Sequence, residues 1–434
     1  MDSIQSAIEI FMHALEAVSP STLIRNHVGW QSSNLNISGN IVALKSSSKL
    51  FVIGAGKASA LMAGTLEEIL DDAITDGIVV TKHEHGLPLS QIQLIEAGHP
   101  IPDENSVRAT EEIGKLVSDL TTDDVVVFLL SGGASSLLAD YPKGSNLAEV
   151  QQVFDLLLKS GADIHEMNTV RKHISNVKGG QLAKHIYPAQ LYSLILSDVI
   201  GDDLDVIGSG PTVADKSTFK DAWDVLTNYD IIHNMPAAIR QYIKDGCEGN
   251  IPDTPKEGDE CFINARNIII GSNKIALEAA ASKASELGYH RVIVTNTLKG
   301  EASVLGKRIA KQAIEYKGPV PACLLYGGES TVTIRGNGLG GRNMEFALAA
   351  GIEISSHPNI TILSAGTDGT DGPTNAAGAV VHAAVMKKAI DEGYEPERYL
   401  QNNDSYTFFS KANALIKTGA TQTNVMDIML ALIH

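Results

Sequence analysis

Cysteine is scarce in this chain of 434 residues, which contains only Cys247, Cys261 and Cys323. Their spacing offers neither a CxxC pair nor a Cys/His arrangement of the kind that binds zinc. An odd number of cysteines also argues against a disulfide framework. We therefore expect three reduced cysteines in core or loop positions.

The chain also lacks long apolar runs, and none approaches the roughly 18 residues that a membrane-spanning helix requires. The N-terminal stretch MDSIQSAIEIFMHALEAVSP begins acidic and lacks the basic start of a secretory signal. We expect no membrane partner and a cytoplasmic location.

Positive charge is in short supply, because 34 lysines and arginines face 51 aspartates and glutamates, for a formal net charge of −17. No basic block offsets this charge, which argues against a nucleic-acid partner. A small anionic substrate is still compatible with the sequence if its site is locally basic. Cationic residues beside glycine-rich loops are therefore the most informative residues of this chain.

What the chain does contain is typical of a globular enzyme, with 44% hydrophobic and 20% charged residues. Its length predicts two domains. Apolar strands alternate with helical patterns through both halves, which predicts α/β domains, the first built on a parallel sheet covered on both faces. The segment 246–260 is rich in proline, glycine and charge. It predicts a linker between domains at 1–245 and 261–434.

Three local patterns give further expectations. Asp2 is predicted to cap a first helix that Pro20 ends, and this helix could pack on either domain. The polar stretch 32–48 predicts irregular structure. In the second half, TVTI and the glycine-rich loop after it predict a hairpin, and therefore a mixed sheet.

The stretch LFVIGAGKASA (residues 50–60) predicts a strand, a glycine turn and the start of a helix. Gly54 and Gly56 allow close approach of a ligand, a helix N-terminus attracts anions, and Lys57 adds a positive charge. The motif is not a Walker A loop, and Ser59 replaces the third glycine of the dinucleotide fingerprint. A tight structural turn with a solvated lysine is the alternative.

A second turn of this kind is LLSGGASSLL (residues 129–138). It offers hydroxyl groups and backbone N–H groups to an anion from Ser131, Gly132, Gly133, Ser135 and Ser136. Two such turns at the carboxyl ends of strands in one parallel sheet would face a common crevice.

The stretch NTVRKHISNVKGGQLA (residues 168–183) carries basic residues at helical spacing. Arg171, with Lys172 beside it, is a candidate clamp for a carboxylate or a phosphate, and a solvated helix face is the alternative. His99, in EAGHPIPDENS, is a candidate donor in an active site. An ordinary loop histidine is the alternative there.

Aspartates follow two predicted strands. Asp198, in LSDVIGDDLDVIGSGPT, comes directly after a strand, and Asp368 lies in SAGTDGTDGPTNAAGA. Mg²⁺ prefers one or two carboxylates together with waters and phosphate oxygens, and a carboxylate could also act as a general base for a hydroxyl. Aspartates that merely form turns are the alternative.

The stretch YGGESTVTIRGNGLGGRNMEFALA (residues 326–349) has the most features of a phosphate-handling segment. Gly327, Gly328 and Glu329 follow a predicted strand. Two further glycines, Gly340 and Gly341, precede an arginine at the start of a helix, Arg342. An arginine in this position can bind an oxyanion through two hydrogen bonds.

Taken together, these motifs resemble the class II glycerate kinases, the glycerate 2-kinase family with a C-terminal MOFRL domain. The resemblance covers nearly the whole chain in the right order, through VIGAGKAS, VTKHEHG, EAGHPIPDE, LLSGGASSLL, NTVRKHISNVKGGQLA, LSDVIGDDLDVIGSGPT, GGESTVTIRGNGLGGRNME and SAGTDGTDGPTNAAGA. It implies a Rossmann-like N-terminal domain, a three-layer α/β C-terminal domain with a mixed sheet, and an active site in the cleft between them.

The resemblance also implies an activity, the ATP-dependent phosphorylation of D-glycerate at the 2-hydroxyl with a divalent metal. It carries over Lys57 as the catalytic lysine and Arg342 as the catalytic arginine. We expect these two residues to flank the transferring phosphoryl group. The glycine turns would cradle phosphates, and Mg²⁺ would bind Asp198 and Asp368.

The remaining expectations concern the substrate and the alternatives. The carboxylate of D-glycerate would contact His99, Arg171 and Lys172. One alternative is an NAD(P)H-dependent hydroxypyruvate reductase, against which Lys82 and the missing third glycine count. Another is a non-catalytic sensor of sugar acids or nucleotides on the same fold. The oligomeric state is left open, with a homodimer as one expectation.

Overall fold

Fifteen strands form in this computed structural model, which describes residues 2–434, and many of them coincide with apolar runs of the sequence. In chain order they are β1 (Val28–Gln31), β2 (Asn34–Ile37), β3 (Asn40–Ala43), β4 (Leu50–Ala55), β5 (Asp76–Lys82), β6 (Gln93–Ala97), β7 (Val125–Leu130), β8 (Gln190–Leu196), β9 (Ala265–Gly271), β10 (His290–Glu301), β11 (Ala322–Thr331), β12 (Ile360–Gly366), β13 (Gly378–His382), β14 (Leu415–Ile416) and β15 (Asp427–Ile433). Every residue of β4 and of β7 is buried, as expected for strands covered on both faces.

Several helices begin at a polar cap. The side chains of Asp2, Asn146, Thr218 and Ser272 accept hydrogen bonds from N–H groups of the first turn. The helices are α1 (Ser3–Ala17), α2 (Pro20–His27), α3 (Ser59–Leu70), α4 (Glu104–Leu116), α5 (Ala134–Leu137), α6 (Leu147–Ser160), α7 (Ile164–His173), α8 (Gln181–Ile186), α9 (Phe219–Asn228), α10 (Ala237–Cys247), α11 (Asn273–Glu286), α12 (Ala302–Ile314), α13 (Arg342–Ile354), α14 (Ala383–Asp391), α15 (Pro396–Gln401) and α16 (Ser405–Ala412). None of the helices within residues 2–434 is long and apolar enough to cross a membrane.

The chain divides into two units. The first, which we call the parallel-sheet unit, comprises Leu23–Ser197 and Asp202–Ile270. The second, the mixed-sheet unit, comprises the chain up to Thr22, the short stretch Asp198–Gly201, and Gly271–His434. Both units are α/β structures, so the predicted fold class is confirmed.

This division differs from the predicted boundaries at 1–245, 246–260 and 261–434. The segment 246–260 lies within the parallel-sheet unit, where the N–H of Asp215 donates to the carbonyl of Pro255 and Thr254 Oγ1 donates to the Asp215 carboxylate. Helix α1 groups with the mixed-sheet unit, since Ser3 Oγ lies 2.6 Å from Thr361 Oγ1. Neither fact is visible in local sequence, because both depend on contacts between distant segments.

The parallel-sheet unit has the strand order β6-β5-β4-β7-β8-β9. The pairings from β6 through β8 are all parallel. The order reverses at β4, because the chain first proceeds outward through β5 to β6 and then returns to β7 on the other side of β4. The loops that follow β4 and β7 diverge at such a switch point and leave a crevice. This topology places the two predicted glycine turns side by side.

A separate helical core in the same unit positions the basic stretch. Helices α6, α7, α9 and α10 bury Val153, Leu157, Val170, Leu226 and Ile239 against one another. Burial of such aliphatic side chains contributes about 1.5–3 kcal/mol each. The packing fixes α7, which carries Arg171 and Lys172 in its last turn.

The mixed-sheet unit has the strand order β10-β11-β15-β12-β13-β14. Strands β10 and β11 pair in parallel, and the other pairings are antiparallel. The last strand of the chain, β15, thus lies in the middle of the sheet and is buried along its whole length. Its first residue, Asp427, lies opposite Gly328 on β11 and Gly366 on β12.

Two local predictions were wrong, although the mixed sheet itself is confirmed. No strand forms among the described residues between β11 and α13, so TVTI makes no hairpin, and the antiparallel pairings come from β12 to β15. The stretch 32–48 is not irregular throughout, since β1, β2 and β3 form a small antiparallel sheet. Ser32, Ser33 and Gly39 have positive φ angles and make its tight turns.

Candidate active site

The two glycine turns of the parallel-sheet unit are in direct contact. The N–H of Lys57 donates to the carbonyl of Gly132 at 2.9 Å, and the N–H of Ala58 donates to Ser131 Oγ at 3.1 Å. Gly56 has a φ of +134°, and a Cβ there would lie 2.1 Å from Ser131 Oγ. The contact therefore requires glycine at position 56. It holds Lys57 at the mouth of the switch-point crevice.

The serine hydroxyls of the second turn, which were predicted as donors to an anion, also bond within the protein. Ser131 Oγ accepts the N–H of Ala58, Ser135 Oγ lies 2.9 Å from Ser209 Oγ, and Ser136 Oγ donates to the carbonyl of Gly133. These bonds stabilise the turn itself, because short hydroxyl side chains readily bond to nearby backbone. Ser131 Oγ acts only as an acceptor in its bond, so its O–H can still donate to an anion, together with backbone N–H groups of the turn.

Lys57 and Lys82 form a cationic cluster beside this contact, and His85 and His99 lie next to them. A Cβ at Gly133 would lie 2.8 Å from His99 Cδ2 and 3.5 Å from Lys57 Cε, so both side chains pack over that glycine. Burial, and then the charges of Lys57, Lys82 and His85, lower the pKa of His99 to about 4. His99 is therefore neutral near pH 7, and it can accept or donate a hydrogen bond there.

Neither lysine of the cationic cluster is among the residues that form ion pairs in the described part of the chain. The chain as a whole carries a formal net charge of −17, so these two lysines make the turns more basic than the chain average. Uncompensated positive charge at the carboxyl ends of parallel strands attracts anionic ligands.

Arg171 is a second unpaired cation of the parallel-sheet unit. Its Nη1 donates to Asn168 Oδ1 at 2.7 Å, and its guanidinium lies 4.8 Å above the ring of Phe154. Burial lowers the pKa of Arg171 to about 10, with no carboxylate nearby to offset that effect. A guanidinium removed from water without a counter-ion is energetically costly and is stabilised when an anion binds.

Hydrogen bonds connect Arg171 to the second glycine turn. Ser209 Oγ donates to Asn168 Oδ1 at 3.0 Å and lies 2.9 Å from Ser135 Oγ. Asn168 Nδ2 is buried and has no hydrogen-bond partner among the described residues. An unpaired amide donor beside an unpaired guanidinium fits a carboxylate, which accepts from both.

Lys172 does not share this environment, and its predicted contact with the substrate carboxylate is corrected here. Its ammonium is buried and forms ion pairs with Asp205 and Asp215. The next residue, His173, bonds to Asp253 at 2.9 Å in the same network. Adjacent residues on a helix point about 100° apart, so Arg171 and Lys172 face different surroundings. Lys172 stabilises the packing of α7 rather than offering a free charge.

In the mixed-sheet unit, Arg342 begins α13 and is already bound by carboxylates. Its Nε and Nη2 donate to the two oxygens of Asp427 at 2.7 and 2.9 Å, and its Nη1 lies 2.8 Å from Glu329 Oε1. Burial alone would lower the pKa of Arg342, but the hydrogen bonds and charge of Asp427, and then Glu329, raise it above its usual value. Glu329, predicted to contact phosphate, instead contacts this arginine.

The surroundings of Arg342 are rigid. Asn343 Nδ2 donates to Asp427 Oδ1 at 2.9 Å, and Asp371 accepts the N–H groups of Asn343 and Met344 at the start of α13. Burial raises the pKa of Asp371 to about 6. The predicted phosphate-binding glycines are sites of close packing, in which an added Cβ would meet Asn273 at Gly327, Leu298 at Gly328, Ser405 at Gly340 and Asp371 at Gly341.

The predicted metal ligands lie in loops that follow strands. Asp368 follows β12, and its Oδ1 accepts the N–H of Thr370. Asp198 follows β8 in the stretch that groups with the mixed-sheet unit. In the same loop, Asp202 Oδ1 is buried and accepts no hydrogen bond from a described residue, which fits a cation nearby.

No group of three or more His, Cys, Asp or Glu side chains in residues 2–434 is arranged to hold a metal. Mg²⁺ does not need such a cage when it arrives with a nucleotide, because phosphate oxygens and waters complete its coordination. The carboxylates present are therefore compatible with a metal bound together with phosphate, although they do not form a separate metal site.

Comparisons with known proteins place the chain in a family. Residues 6–244 match a domain of unknown function, DUF4147, and residues 322–427 match the MOFRL family. The chain is 41% identical to the D-glycerate 2-kinase of Thermotoga maritima, over 98% of this chain and 97% of that protein. It belongs to the glycerate 2-kinase family. The resemblance predicted from the order of its motifs is thus confirmed.

Other members of the glycerate 2-kinase family share the fold and differ in the names they carry. A crystal structure of a glycerate kinase from Thermotoga maritima superposes with a TM-score of 0.89 at 39% identity, covering 99% of both chains. A protein from Agrobacterium vitis that carries a hydroxypyruvate reductase name is 42% identical, over 88% of this chain and 86% of that protein.

Four residues of these sites are absent from the predicted set, namely Lys82, His85, Asn168 and Asp427. Lys82 ends β5 and His85 lies in the loop after it, in the TKHEH stretch, where their basic character was a detectable signal. Asn168 stands three residues before Arg171, a spacing that brings side chains together on a helix. Asp427 had no such signal, because its contact with Arg342 spans 85 residues and depends on the order of the strands.

Replacement of Gly56 by alanine should destabilise the protein and displace Lys57. The added Cβ would overlap Ser131 in a backbone conformation that L-residues rarely adopt, at a cost of about 1–3 kcal/mol. We expect the melting temperature in scanning calorimetry to fall by roughly 5 °C. The control is Gly114→Ala in α4, where the space around an added Cβ is open and alanine favours the helix. Equal melting temperatures for Gly56→Ala and the wild type would contradict the analysis.

His99 should titrate near pH 4 when followed by NMR of its ring. In Lys57→Met the midpoint should rise toward 6.5 without reaching it, because the charge of Lys57 is removed while burial remains. A histidine with a lowered folded-state pKa contributes stability that is complete above pH 6.5 and is lost as the pH falls through 4. Lys143→Met, on the exposed surface, should leave the midpoint unchanged. A wild-type midpoint near 6.5 would show that the cationic cluster does not act on His99.

Proposed function

We propose that this chain is an ATP-dependent kinase that phosphorylates D-glycerate at the 2-hydroxyl, giving 2-phosphoglycerate and ADP. The observation that carries the proposal is the cationic cluster at the switch point, which lacks carboxylate partners in a strongly acidic chain. A nucleoside triphosphate and a sugar acid are both anions, and both bind favourably at a positively charged site. Membership of the glycerate 2-kinase family supports this substrate class.

Phosphoryl transfer needs positioning and neutralisation of negative charge more than covalent chemistry. In this proposal Lys57 and Arg342 each supply positive charge to the transferring phosphoryl group. The backbone around Gly54, Gly56 and Gly132 keeps the phosphate close to Lys57. The contact between the two glycine turns is made within the protein itself, so the position of Lys57 does not depend on a contact with the ligand.

The carboxylate of the substrate binds to Arg171 and Asn168 in this proposal. A carboxylate can accept from the guanidinium and from the unpaired Nδ2 of Asn168 at once. His99 is neutral and lies beside Lys57, where it can bond to a substrate hydroxyl without adding charge. Lys172 has no part in the proposal, because its ammonium is already paired.

A divalent metal such as Mg²⁺, when bound with ATP, would neutralise charge on the phosphate oxygens. Asp198 and Asp368 are the carboxylates that we propose would hold it, with Asp202 as a further candidate because of its unpartnered oxygen. We also propose that the enzyme acts in the cytoplasm. A homodimer stays a prediction.

A hydroxypyruvate reductase is the second candidate function, because a close relative carries that name. In enzymes that bind dinucleotides, an acidic residue at the end of the second strand bonds to the ribose. Strand β5 holds that position next to β4 here, and it ends in Lys82. The lysine ammonium has only donors, so Lys82 cannot accept hydrogen bonds from the ribose hydroxyls. Absence of NADH oxidation with hydroxypyruvate, followed at 340 nm, would exclude this function.

Removal of the charge at Lys57 or Arg342 should reduce turnover sharply. We expect Lys57→Ala and Arg342→Ala each to lower kcat by about 10³-fold or more, because each loses a contact to the transition-state charge. The assay is ADP release from ATP with D-glycerate, followed by chromatographic separation of 2- and 3-phosphoglycerate. Lys143→Ala serves as the control, since this exposed lysine lies outside both sites. Near-normal turnover in either variant would refute the proposed roles.

Replacement of Arg171 by alanine should weaken the binding of D-glycerate and leave the binding of ATP unchanged. We expect KM for D-glycerate to rise about 10²-fold while KM for ATP changes little, because the lost charge pairs with the carboxylate. Arg108→Ala, which removes an exposed arginine of α4, controls for the change in net charge. If both KM values rise together, Arg171 supports the fold or the nucleotide rather than the carboxylate.

A further inference from the structure

The two carboxylate partners of Arg342 differ in burial. The Asp427 side chain is 0% exposed, whereas the Glu329 side chain is 45% exposed and Arg342 itself is 32% exposed. Asp427 receives two hydrogen bonds from the guanidinium, through Nε and Nη2, and Glu329 contacts only Nη1. One partner is thus buried and bidentate, and the other is exposed and contacts a single nitrogen.

Asp427 is held by the fold independently of Arg342. It begins the central strand β15, and its Oδ1 also accepts from Asn343 Nδ2. Its backbone carbonyl accepts from Asn273 Nδ2 at 3.0 Å. Displacement of this carboxylate would leave several buried groups without partners, which is strongly unfavourable.

Glu329 has none of these constraints. It lies on β11 with a side chain that is 45% exposed, and among the described residues that side chain makes no other hydrogen bond or ion pair. Exposed ion pairs contribute little to stability because water and salt compete with them. The carboxylate of Glu329 can therefore leave Nη1 at small cost.

Charge favours this exchange when Arg342 binds phosphate at Nη1. With both partners in place, two carboxylates surround one guanidinium, and the excess charge is negative. A phosphate oxygen that approached Nη1 would meet the Glu329 carboxylate on the same nitrogen. Two anions cannot share that nitrogen without mutual repulsion.

We propose that Glu329 is a displaceable counter-ion of Arg342, whose place at Nη1 is taken by a phosphate oxygen of ATP, and that Asp427 is the positioning residue that keeps the guanidinium in place throughout. The proposal rests on the proposed function, in which Arg342 contacts phosphate. Glu329 then competes with ATP and sets its affinity, whereas Asp427 sets the orientation of the arginine.

The test is the affinity of the full-length protein for ATP, measured by isothermal titration calorimetry. Glu329→Gln keeps the shape of the side chain and removes the competing charge, so Kd for ATP should fall about two- to fivefold. Glu286→Gln removes another exposed charge of the same unit, paired with Lys283, and should bind ATP as the wild type does. Unchanged or weaker binding in Glu329→Gln overturns the proposal, and weaker binding would indicate that Glu329 holds a metal instead.

A double-mutant cycle decides whether Glu329 acts through Arg342. In the Arg342→Ala background, Glu329→Gln should no longer change Kd for ATP, because the group for which Glu329 competes is absent. The same two- to fivefold gain in both backgrounds would assign the effect to general electrostatics and overturn the proposal.

Asp427 has a different expected signature. Asp427→Asn should lower kcat about 10²-fold at saturating ATP, because the guanidinium loses its fixed orientation. Its folding is checked by the melting temperature, and should this variant fail to fold, the Glu329→Gln cycle still decides the proposal. A kcat equal to that of the wild type would show that Asp427 does not position the arginine.

These measurements separate the inference from the proposed function. Calorimetry measures ATP binding without turnover. It therefore detects the replacement of Glu329 by ATP at Arg342 even if D-glycerate is not phosphorylated. If the wild type releases ADP with D-glycerate while Glu329→Gln binds ATP unchanged, only the inference fails. If no ADP is released while Glu329→Gln binds ATP more tightly, only the proposed function fails.

Discussion

The proposed anion-binding site of this protein depends on positive charges that lie near its glycine turns and have no carboxylate partner. Among the lysines and arginines that the structure describes, twelve are neutralised by a nearby carboxylate. Lys57, Lys82 and Arg171 are not, and each lies close to a glycine turn of the parallel-sheet unit or is connected to it by hydrogen bonds. The fold stabilises these unpaired charges by burying apolar side chains elsewhere. It thereby keeps an anion-binding site in an acidic protein.

Cations that are paired with carboxylates in the same structure stabilise the fold or are held in a fixed orientation. Lys172 is one residue from Arg171, yet two carboxylates neutralise it and it stabilises the interior. Arg342 lies between these extremes, since a buried carboxylate orients it and an exposed one covers its outer nitrogen. The pairing of a cation, more than its presence in a motif, therefore decides whether it is available to a ligand. Burial and hydrogen bonding determine that pairing.

Local sequence predicted the parts of this structure that depend on neighbouring residues. The α/β class, the buried strands β4 and β7, and the glycine turns after them follow from apolar runs and glycine positions. The mixed second sheet was predicted for an incorrect reason, because TVTI makes no hairpin and the antiparallel pairings come from β12 to β15. The boundaries of the two units were also not accessible, since α1 and the segment 246–260 are assigned by contacts with distant residues.

The sequence by itself determined the family, the acidic balance and the cationic residues beside glycine turns, because these are properties of composition and short motifs. Only the tertiary structure decided which of those cations are unpaired. The partner of Arg342 is Asp427, 85 residues away on a strand that inserts between β11 and β12, and those of Lys172 lie in loops of another segment. Ion pairing acts through space over a few ångströms, and the order of strands in a sheet, which brings such groups together, is not encoded at any one position.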